Sequence, residues 1–296
     1  MTAIGFIGVG NMGGPMARNL LKAGFEVRIF DVNAEMTKPI IGAGAAAARN
    51  LREACEGADT VLTMLPAGQH VRAVYLDKEG VLASARPGTL LVDCSTVDID
   101  SALAVHRAAQ DAGVAFLDAP VSGGVGGAEA GTLTFMCGGS EDAFERAKPI
   151  LEKMGKRIVL AGGAGAGQGA KICNNMLLAI SMIGTCEAFV LAEKLGLDHQ
   201  KLFEIASTSS GQCWSLTTYC PVPGPVPTAP SNRNYTGGFA TALMLKDLRL
   251  AQSAAQSVGA TTPLGAEAAQ LYTLFAAKGH GSLDFSGIIH MLRGEL

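Results

Sequence analysis

The sequence predicts an α/β fold, with a mostly parallel β-sheet domain followed by an all-helical domain. In the first 162 residues, short apolar runs rich in β-branched residues alternate with amphipathic helical patterns, which is typical of βαβ units. After Gly169 the pattern changes to long helical segments. The 38 glycines and an aromatic content of 5% indicate many tight strand-to-helix turns. We therefore expect domains at residues 1–162 and 163–296.

The predicted strands are short runs without strict alternation of polar and apolar residues. Such runs suit a parallel sheet that is covered by helices on both faces. In chain order they are Ile4–Gly8, Val27–Asp31, Thr60–Leu65, Thr89–Cys94, Ala115–Leu117, Leu133–Cys137 and Arg157–Leu160.

The second domain is predicted to consist of helices and one long loop. The helical patterns cover Ala170–Leu195, Gln200–Ser207, Phe239–Val258, Pro263–Lys278 and Phe285–Arg293. Residues 220–238 hold five of the twelve prolines, so they can form neither a regular helix nor a central strand. A loop of this length is either ordered or flexible, and the sequence leaves both open.

Composition and charge favour a small-molecule ligand over a macromolecular surface. The net charge of -3, without a long basic run, gives no footprint for nucleic acid or an anionic membrane. The most apolar stretch, Ile172–Cys186, is shorter than the about 20 residues of a membrane helix. Because the first strand begins almost at the first residue, we expect no secretory leader and a cytoplasmic protein.

The cysteines and histidines do not form a metal site in the sequence. Seven cysteines are scattered without a C-x-x-C pair, and five histidines show no H-x-x-x-H spacing. We therefore expect reduced, mostly structural thiols and a metal-independent protein.

A glycine-rich turn after the first strand predicts a dinucleotide site. Gly8, Gly10 and Gly13 have G-x-G-x-x-G spacing, and Asn11 and Met12 lie between the last two glycines. The spacing provides a tight turn, close approach of the backbone to a pyrophosphate, and close packing of the helix on the strand. The helix N-terminus that follows adds free N–H groups and a positive dipole end.

Asp31 stands at the end of the second strand, eighteen residues after Gly13. This is the position from which a carboxylate accepts hydrogen bonds from the adenosine ribose and repels a 2′-phosphate. The position therefore favours NAD over NADP, with a plain strand-end cap as the alternative.

The ends of the next strands supply further candidate cofactor contacts. The segments "TMLP" and "DCST" follow two neighbouring strands, where ligand-binding loops of a parallel sheet lie. Leu65, Pro66 and Thr96 are the predicted contacts, on the strength of position alone.

Two further segments suggest a site for an anionic substrate. Ser122, Gly123 and Gly124 follow a strand, and their backbone N–H groups could surround a carboxylate, although a simple glycine turn is the alternative. Lys171 and Asn175 are four residues apart and share one face of an otherwise apolar helix. A lysine in such surroundings is either at the surface or a candidate acid/base.

These motifs together resemble the β-hydroxyacid dehydrogenase family over essentially the whole chain. The glycine fingerprint, "DAPVSGG", "GAGQGAKICNNM", "YTGGF" and "KDLRLAQ" occur in family order, and the loop "CWSLTTYCPVPG" is the most specific of the segments. The resemblance implies a Rossmann domain, a long helix that links it to a helical domain, and NAD-dependent oxidation of a short hydroxy acid.

The resemblance also implies roles for individual residues. Lys171 would be catalytic, and Asn175 would bind substrate beside it. Ser122, Gly123 and Gly124 would hold the substrate carboxylate. The remaining implied residues are Lys246, which reaches nicotinamide and substrate, Asp247, which supports it, Phe239, which borders the nicotinamide, and Trp214, which lies near the rest of the substrate.

Three alternatives stay open at this stage. The reaction could be a sister activity, such as L-serine dehydrogenation or tartronate semialdehyde reduction. A non-catalytic dinucleotide-binding scaffold would be expected to lack Lys171, and Lys246 alone could be an ordinary surface charge.

The long apolar helix predicts self-association as a homodimer or homotetramer.

Overall fold

A computed structural model describes residues 2–296 of the chain and divides it into two compact units. The boundary falls between Lys171 and Ile172, within a single helix. The predicted division between residues 162 and 163 stays a prediction.

The first unit is built on a nine-stranded sheet in the order β3-β2-β1-β4-β5-β6-β8-β7, with β9 paired to β8. The strands are β1 Ala3–Ile7, β2 Glu26–Phe30, β3 Ala46–Ala47, β4 Thr60–Thr63, β5 Leu90–Asp93, β6 Ala115–Asp118, β7 Val121–Ser122, β8 Leu133–Gly138 and β9 Gly155–Gly162. The six neighbouring strands β3, β2, β1, β4, β5 and β6 pair in parallel, and β9 pairs in parallel with β8. Strand β8 runs antiparallel to β6 and β7. The predicted mostly parallel sheet is confirmed.

Strand order reverses at β1, which lies between β2 and β4. In open parallel sheets, ligands bind outside the carboxyl ends of the strands at such a reversal. The segment that leaves β1 here begins with Gly8, so the topology places the glycine fingerprint at the expected position.

Eight helices cover the two faces of this sheet. They are α1 Gly13–Lys22, α2 Ala34–Ile41, α3 Leu51–Cys55, α4 Gly68–Leu76, α5 Val81–Ser84, α6 Ile99–Asp111, α7 Gly124–Ala130 and α8 Glu141–Leu151. Successive side chains of β1 point to opposite faces of the sheet and pack in two separate cores, Phe6 in one and Ile7 in the other. Burial on both faces explains why the strands lack polar alternation.

The long helix α9, Ala166–Lys194, starts four residues before the predicted Ala170. The earlier start follows from Asp118, whose carboxylate accepts hydrogen bonds from the backbone N–H groups of Gly165 and Gln168. The helix is long and apolar enough to cross a membrane by length and composition alone. Its buried side chains, however, include Met182, Cys186 and Phe189, which belong to the core of the second unit.

Helices make up the second unit, with one isolated bridge, between Ala240 and Asp284, as the only β-pairing within residues 172–296. After α9 they are α10 His199–Ala206, α11 Trp214–Thr217, α12 Thr241–Val258, α13 Pro263–Phe275 and α14 Ile289–Arg293, with 3-10 turns at Pro230–Arg233 and Phe285–Ile288 and a π-helix at Ala276–His280. The predicted all-helical character is confirmed.

Several predicted helix ends in this unit are wrong. Helix α12 begins at Thr241 rather than Phe239, because the backbone of Phe239 is held by Asp284. The predicted helix to Lys278 is α only to Phe275, since Gly279 has a φ of 93°. Short α11 had no helical periodicity that the sequence could reveal.

The proline-rich segment 220–238 is an ordered loop held by its own hydrogen bonds. The Ser231 hydroxyl donates to the carbonyls of Cys220 and Val222, at 2.8 and 3.1 Å. The Tyr235 hydroxyl donates to the Pro221 carbonyl at 2.7 Å. Side chains therefore supply the bonds that the prolines cannot make.

Candidate functional site

The glycine fingerprint forms a tight turn between β1 and α1. Gly8 has a φ of 87°, and a Cβ there would overlap the Met64 carbonyl oxygen. A Cβ on Gly13 would overlap the carbonyl oxygen of Gly8. At Gly10, by contrast, a Cβ would meet nothing within 4 Å, so packing inside the chain does not require glycine there. The open side of Gly10 suits close approach of a ligand.

The start of α1 offers backbone donors to that ligand. Met12 occupies the N-cap position without a side-chain hydrogen bond, and Asn11 beside it is exposed. Pro15 lies in the first turn, where a helix needs no N–H donor. An uncapped N-terminus at the end of a parallel strand fits the pyrophosphate of a dinucleotide.

Asp31 lies just beyond β2, half-buried, and already holds the turn. Its Oδ2 accepts a hydrogen bond from the Val9 N–H at 2.8 Å, and its Oδ1 accepts from the Asn33 N–H at 2.9 Å. Asp31 therefore acts as a strand-end cap, which was the alternative role given to it from the sequence. Each carboxylate oxygen can accept a further bond, so the ribose role is compatible with these contacts and stays a prediction.

A buried polar network connects the ends of β4 and β5. Asp93 Oδ1 accepts hydrogen bonds from the Thr63 hydroxyl at 2.6 Å and the Ser95 hydroxyl at 2.5 Å. The Ser95 hydroxyl in turn accepts from the Leu65 N–H at 2.8 Å. The network sets the backbone of both loops that carry the predicted contacts Leu65, Pro66 and Thr96.

Asp93 is fully buried, and its Oδ2 has no hydrogen-bond partner within residues 2–296. Burial raises the pKa of this carboxyl from its ordinary 3.8 to about 6, although hydrogen bonds from Ser95 and Thr63 act in the opposite direction. Sequence reasoning missed Asp93, Thr63 and Ser95, since only their positions within "TMLP" and "DCST" were available as a signal.

The segment Ser122–Gly124 joins β7 to α7. Gly123 and Gly124 have φ angles of 131° and 61°, which strongly favour glycine at both positions. No side chain caps α7, so the backbone donors of this turn are not occupied by a cap. Carboxylate binding by Ser122, Gly123 and Gly124 fits this geometry and stays a prediction.

Asp118, at the end of β6, is a buried anchor that sequence reasoning missed. Its Oδ1 accepts from Gly165 N–H at 2.9 Å, its Oδ2 accepts from Gln168 N–H at 3.0 Å, and His106 Nε2 lies 2.7 Å from Oδ1. The aspartate opens the quoted "DAPVSGG" segment, and its two oxygens fix the first turn of α9.

Lys171 is only 7% exposed, although a lysine at a helix surface would be the ordinary expectation. It lies in the second turn of α9, not at the helix start as predicted. Asn175 follows four residues later on the same helix face and is 1% exposed. A buried lysine and a buried amide on one face indicate a polar site rather than core.

Asp247, on α12, holds two of the predicted residues of the second unit. Its Oδ2 accepts a hydrogen bond from Asn175 Nδ2 at 2.6 Å, and its Oδ1 lies 3.4 Å from the Lys246 ammonium. Asn174 Nδ2 donates to Asn175 Oδ1 at 3.0 Å. The Asn175 amide is therefore fixed at both ends.

An aromatic cluster with a buried acid holds Trp214 and Phe239. Trp214 is 48% exposed and stacks on Tyr219, with ring centroids 4.8 Å apart. Asp284 Oδ2 accepts from both the Tyr219 hydroxyl at 2.7 Å and the Phe239 N–H at 2.8 Å. Burial is the main cause that raises the pKa of both Tyr219 and Asp284.

Gly238 makes this arrangement possible. Its φ is 76°, and a Cβ would overlap both the Tyr219 hydroxyl and the Asp284 carboxylate. Sequence reasoning selected Trp214 and Phe239 but missed Tyr219, Gly238 and Asp284, which fix them. The quoted "YTGGF" pair of glycines was the available signal.

Within residues 2–296, no group of three His, Cys, Asp or Glu side chains could hold a metal ion. All seven cysteines are free thiols. Metal independence stays a prediction.

Two family models cover nearly the whole chain. Residues 3–163 match the NAD-binding domain of 6-phosphogluconate dehydrogenase, and residues 165–292 match the NAD-binding model of NADP-dependent 3-hydroxyisobutyrate dehydrogenase. The two models meet close to the start of α9.

Similar proteins carry two different activity names. A 3-hydroxyisobutyrate dehydrogenase of Pseudomonas aeruginosa is 52% identical over 100% of both chains, and an NAD-dependent L-serine dehydrogenase of the same organism is 52% identical over 97% of this chain and 96% of its own. The solved structure of 3-hydroxyisobutyrate dehydrogenase from Mycobacterium tuberculosis with L-serine has a TM-score of 0.95 and 53% identity, over 99% of both chains.

Proposed function

Because the chain belongs to the 3-hydroxyisobutyrate dehydrogenases of the β-hydroxyacid dehydrogenase family, we propose that it oxidises 3-hydroxyisobutyrate to methylmalonate semialdehyde. The protein is an NAD-binding oxidoreductase whose first unit carries the glycine fingerprint. NAD supplies the hydride acceptor when it is bound. The proposed reaction is a step of valine breakdown.

The buried pair of Lys171 and Asn175 is the observation that carries this proposal. Oxidation of a primary alcohol needs a group that hydrogen-bonds the hydroxyl and receives its proton as hydride leaves. Lys171 provides the amine, and the Asn175 amide, fixed by Asp247, provides orientation. A non-catalytic scaffold would be expected to lack a lysine at this position.

The substrate carboxylate would be held by the backbone of Ser122, Gly123 and Gly124. The positive φ angles of the two glycines orient successive N–H groups, and such turns bind anions without a charged side chain. In this proposal Lys246 approaches nicotinamide and substrate, and its ammonium lies 3.4 Å from Asp247 Oδ1.

L-serine oxidation is the second candidate, because a relative named for that activity is 52% identical. The two substrates differ in a methyl group against an ammonium group. Exposed Trp214 and half-buried Phe239 are apolar and suit the methyl group better. Since one methyl group gives only about 1 to 3 kcal/mol of discrimination, some activity on L-serine is expected.

The proposal includes NAD as the preferred cofactor over NADP, because Asp31 stands where a 2′-phosphate would have to lie. It also includes a cytoplasmic location and a homodimer or homotetramer. Exposed leucines on α9, among them Leu177 and Leu191, support self-association.

Steady-state kinetics with purified protein and NAD test the substrate. We expect kcat/KM for 3-hydroxyisobutyrate to exceed that for L-serine, with 3-hydroxypropionate also active. In the reverse assay, with NADH in place of NAD, we expect tartronate semialdehyde to be reduced more slowly than methylmalonate semialdehyde. No activity is expected on 6-phosphogluconate, because the sequence shows no obvious cluster of arginines for a phosphate group. A higher kcat/KM for L-serine would assign the chain to the sister activity.

A further inference from the structure

Gln168 is a fully buried side chain that the proposed mechanism does not use. It stands in "AGGAGAGQGA", residues 161–170, where every other side chain is a methyl group or a hydrogen atom. The side chain lies in the first turn of α9, three residues before Lys171. Burial of a lone amide in such a stretch requires partners for both of its ends.

Those partners are the two peptide groups on either side of Thr96. Gln168 Nε2 donates to the Ser95 carbonyl at 2.8 Å, and Gln168 Oε1 accepts from the Val97 N–H at 3.0 Å. The amide therefore pairs with this loop as a neighbouring strand would. Ser95 is held on its other side by Asp93, which accepts from the Ser95 N–H at 3.2 Å. The backbone around Thr96 is clamped from helix and sheet together.

The backbone of Gln168 is itself held against the sheet. Its N–H donates to Asp118 Oδ2 at 3.0 Å. A Cβ on Gly167 would overlap the Met136 carbonyl oxygen, and a Cβ on Gly138 would lie 2.6 Å from the Gly167 nitrogen. The first turn of α9 thus lies directly on the sheet, and the Gln168 side chain has little freedom to relax.

We propose that Gln168 is a positioning residue that fixes the cofactor loop at Thr96 relative to Lys171. Residues 168 and 171 lie on neighbouring positions of one helix side, so a displacement of the first turn moves both. The effect on cofactor affinity depends only on the contact between Gln168 and the loop at Thr96. The effect on turnover rests, in addition, on the proposed catalytic role of Lys171.

Gln168→Met removes both hydrogen bonds at similar side-chain volume. The Ser95 carbonyl and the Val97 N–H are then left buried without these partners. We expect the NADH dissociation constant to rise about 10- to 100-fold and kcat to fall by a similar factor. Leaving these two groups buried without partners is costly, so the loop at Thr96 shifts to satisfy them and leaves the position that binds the cofactor. Gln110→Met, at an exposed glutamine of α6, is the matched control and should change neither value.

Gln168→Glu gives a readout that a purely structural role would not produce. The ionised carboxylate accepts from Val97 but repels the Ser95 carbonyl, whereas the protonated carboxyl donates to Ser95 and restores both bonds. Burial favours the protonated form of the carboxyl, so we expect both hydrogen bonds to be restored within the pH range in which the protein can be studied. The ionisable groups around this side chain are Asp118, His106, Asp93 and Lys171. These groups are present in all variants, so the pH dependence of NADH affinity in the parent protein serves as the baseline.

Fluorescence titration of NADH from pH 5.5 to pH 8.5 decides the matter. We expect the Gln168→Glu protein to bind NADH increasingly well as pH falls, with a slope steeper than that of the parent and Gln168→Met proteins, in which Asp93 titrates as well. Unchanged NADH affinity in Gln168→Met, or no additional slope in Gln168→Glu, would overturn the proposal. Failure of both variants to fold would also overturn it, because the role would then be structural.

The same titration separates this proposal from the proposed function. Absence of turnover in the parent protein with every hydroxy acid would refute the function, yet NADH affinity would still respond to Gln168. Altered NADH affinity with unchanged kcat would overturn the coupling to Lys171.

Discussion

Asp93 makes the stability of the protein depend on pH in a direction opposite to that of an ion-paired carboxylate. The side chain is fully buried, its pKa is raised to about 6, and Oδ2 lacks a partner within residues 2–296. Because the folded pKa exceeds the unfolded value near 3.8, protonation stabilises the folded state. This contribution is complete below pH 3.8 and is lost as the pH rises through about 6.

The size of the effect follows from the two pKa values. A change from 3.8 to about 6 corresponds to about 3 kcal/mol between the limits, of which about 1 kcal/mol falls between pH 5 and pH 7. Asp93→Asn removes the titration while keeping an oxygen that can accept from Thr63 and Ser95. Relative to this variant, the parent protein should gain about 1 kcal/mol in free energy of unfolding when pH falls from 7 to 5.

Urea unfolding at pH 5, 6 and 7 measures this difference, with each variant compared at equal ionic strength. Asp111→Asn, at an exposed carboxylate of α6, serves as the control and should follow the parent protein. If Asp93→Asn showed the same pH dependence as the parent protein, the buried carboxyl would not titrate as described, and the reasoning would be refuted.

Three further predictions concern cofactor, specificity and metal. Asp31→Ala should reduce the preference for NAD over NADP, measured as the ratio of kcat/KM values, and equal use of both cofactors by the parent protein would contradict the role of Asp31. Trp214→Ala and Tyr219→Phe should both narrow the kcat/KM gap between 3-hydroxyisobutyrate and L-serine. Tyr219→Phe acts by removing a hydrogen bond to Asp284 that is worth about 1.5 to 3 kcal/mol. An unchanged gap in both variants would show that the aromatic side chains of Trp214 and Tyr219 do not set the specificity. Exhaustive dialysis against EDTA should leave activity intact, and loss that zinc reverses would overturn the proposed role of Lys171 and Asn175 in polarising the hydroxyl.

The sequence predicted those parts of the fold that arise from local pattern. Apolar runs and glycine spacing located β1, the turn at Gly8 and the helical second unit. They could not reveal β3 and β7, since two-residue strands have no measurable period. The early start of α9 depends on Asp118, which lies some fifty residues away along the chain.

The candidate site shows the same limit. Residues with distinctive chemistry or glycine spacing, such as Lys171 and Asp31, could be selected from the sequence. Residues that position them could not, because Asp93, Gln168 and Asp284 gain their importance from burial and from partners distant in sequence. An ordinary aspartate or glutamine carries no sequence signal of such contacts.

Lys171→Ala is the most direct test of the account, because the proposed chemistry depends on this one buried amine. Single-turnover and steady-state kinetics with 3-hydroxyisobutyrate and NAD, together with NADH titration and thermal unfolding, give chemistry, cofactor binding and folding separately. We expect kcat to fall by about 10²- to 10⁴-fold or more, with NADH affinity and folding close to those of the parent protein. A variant that folds, binds NADH and turns over near the parent rate would contradict the central claim.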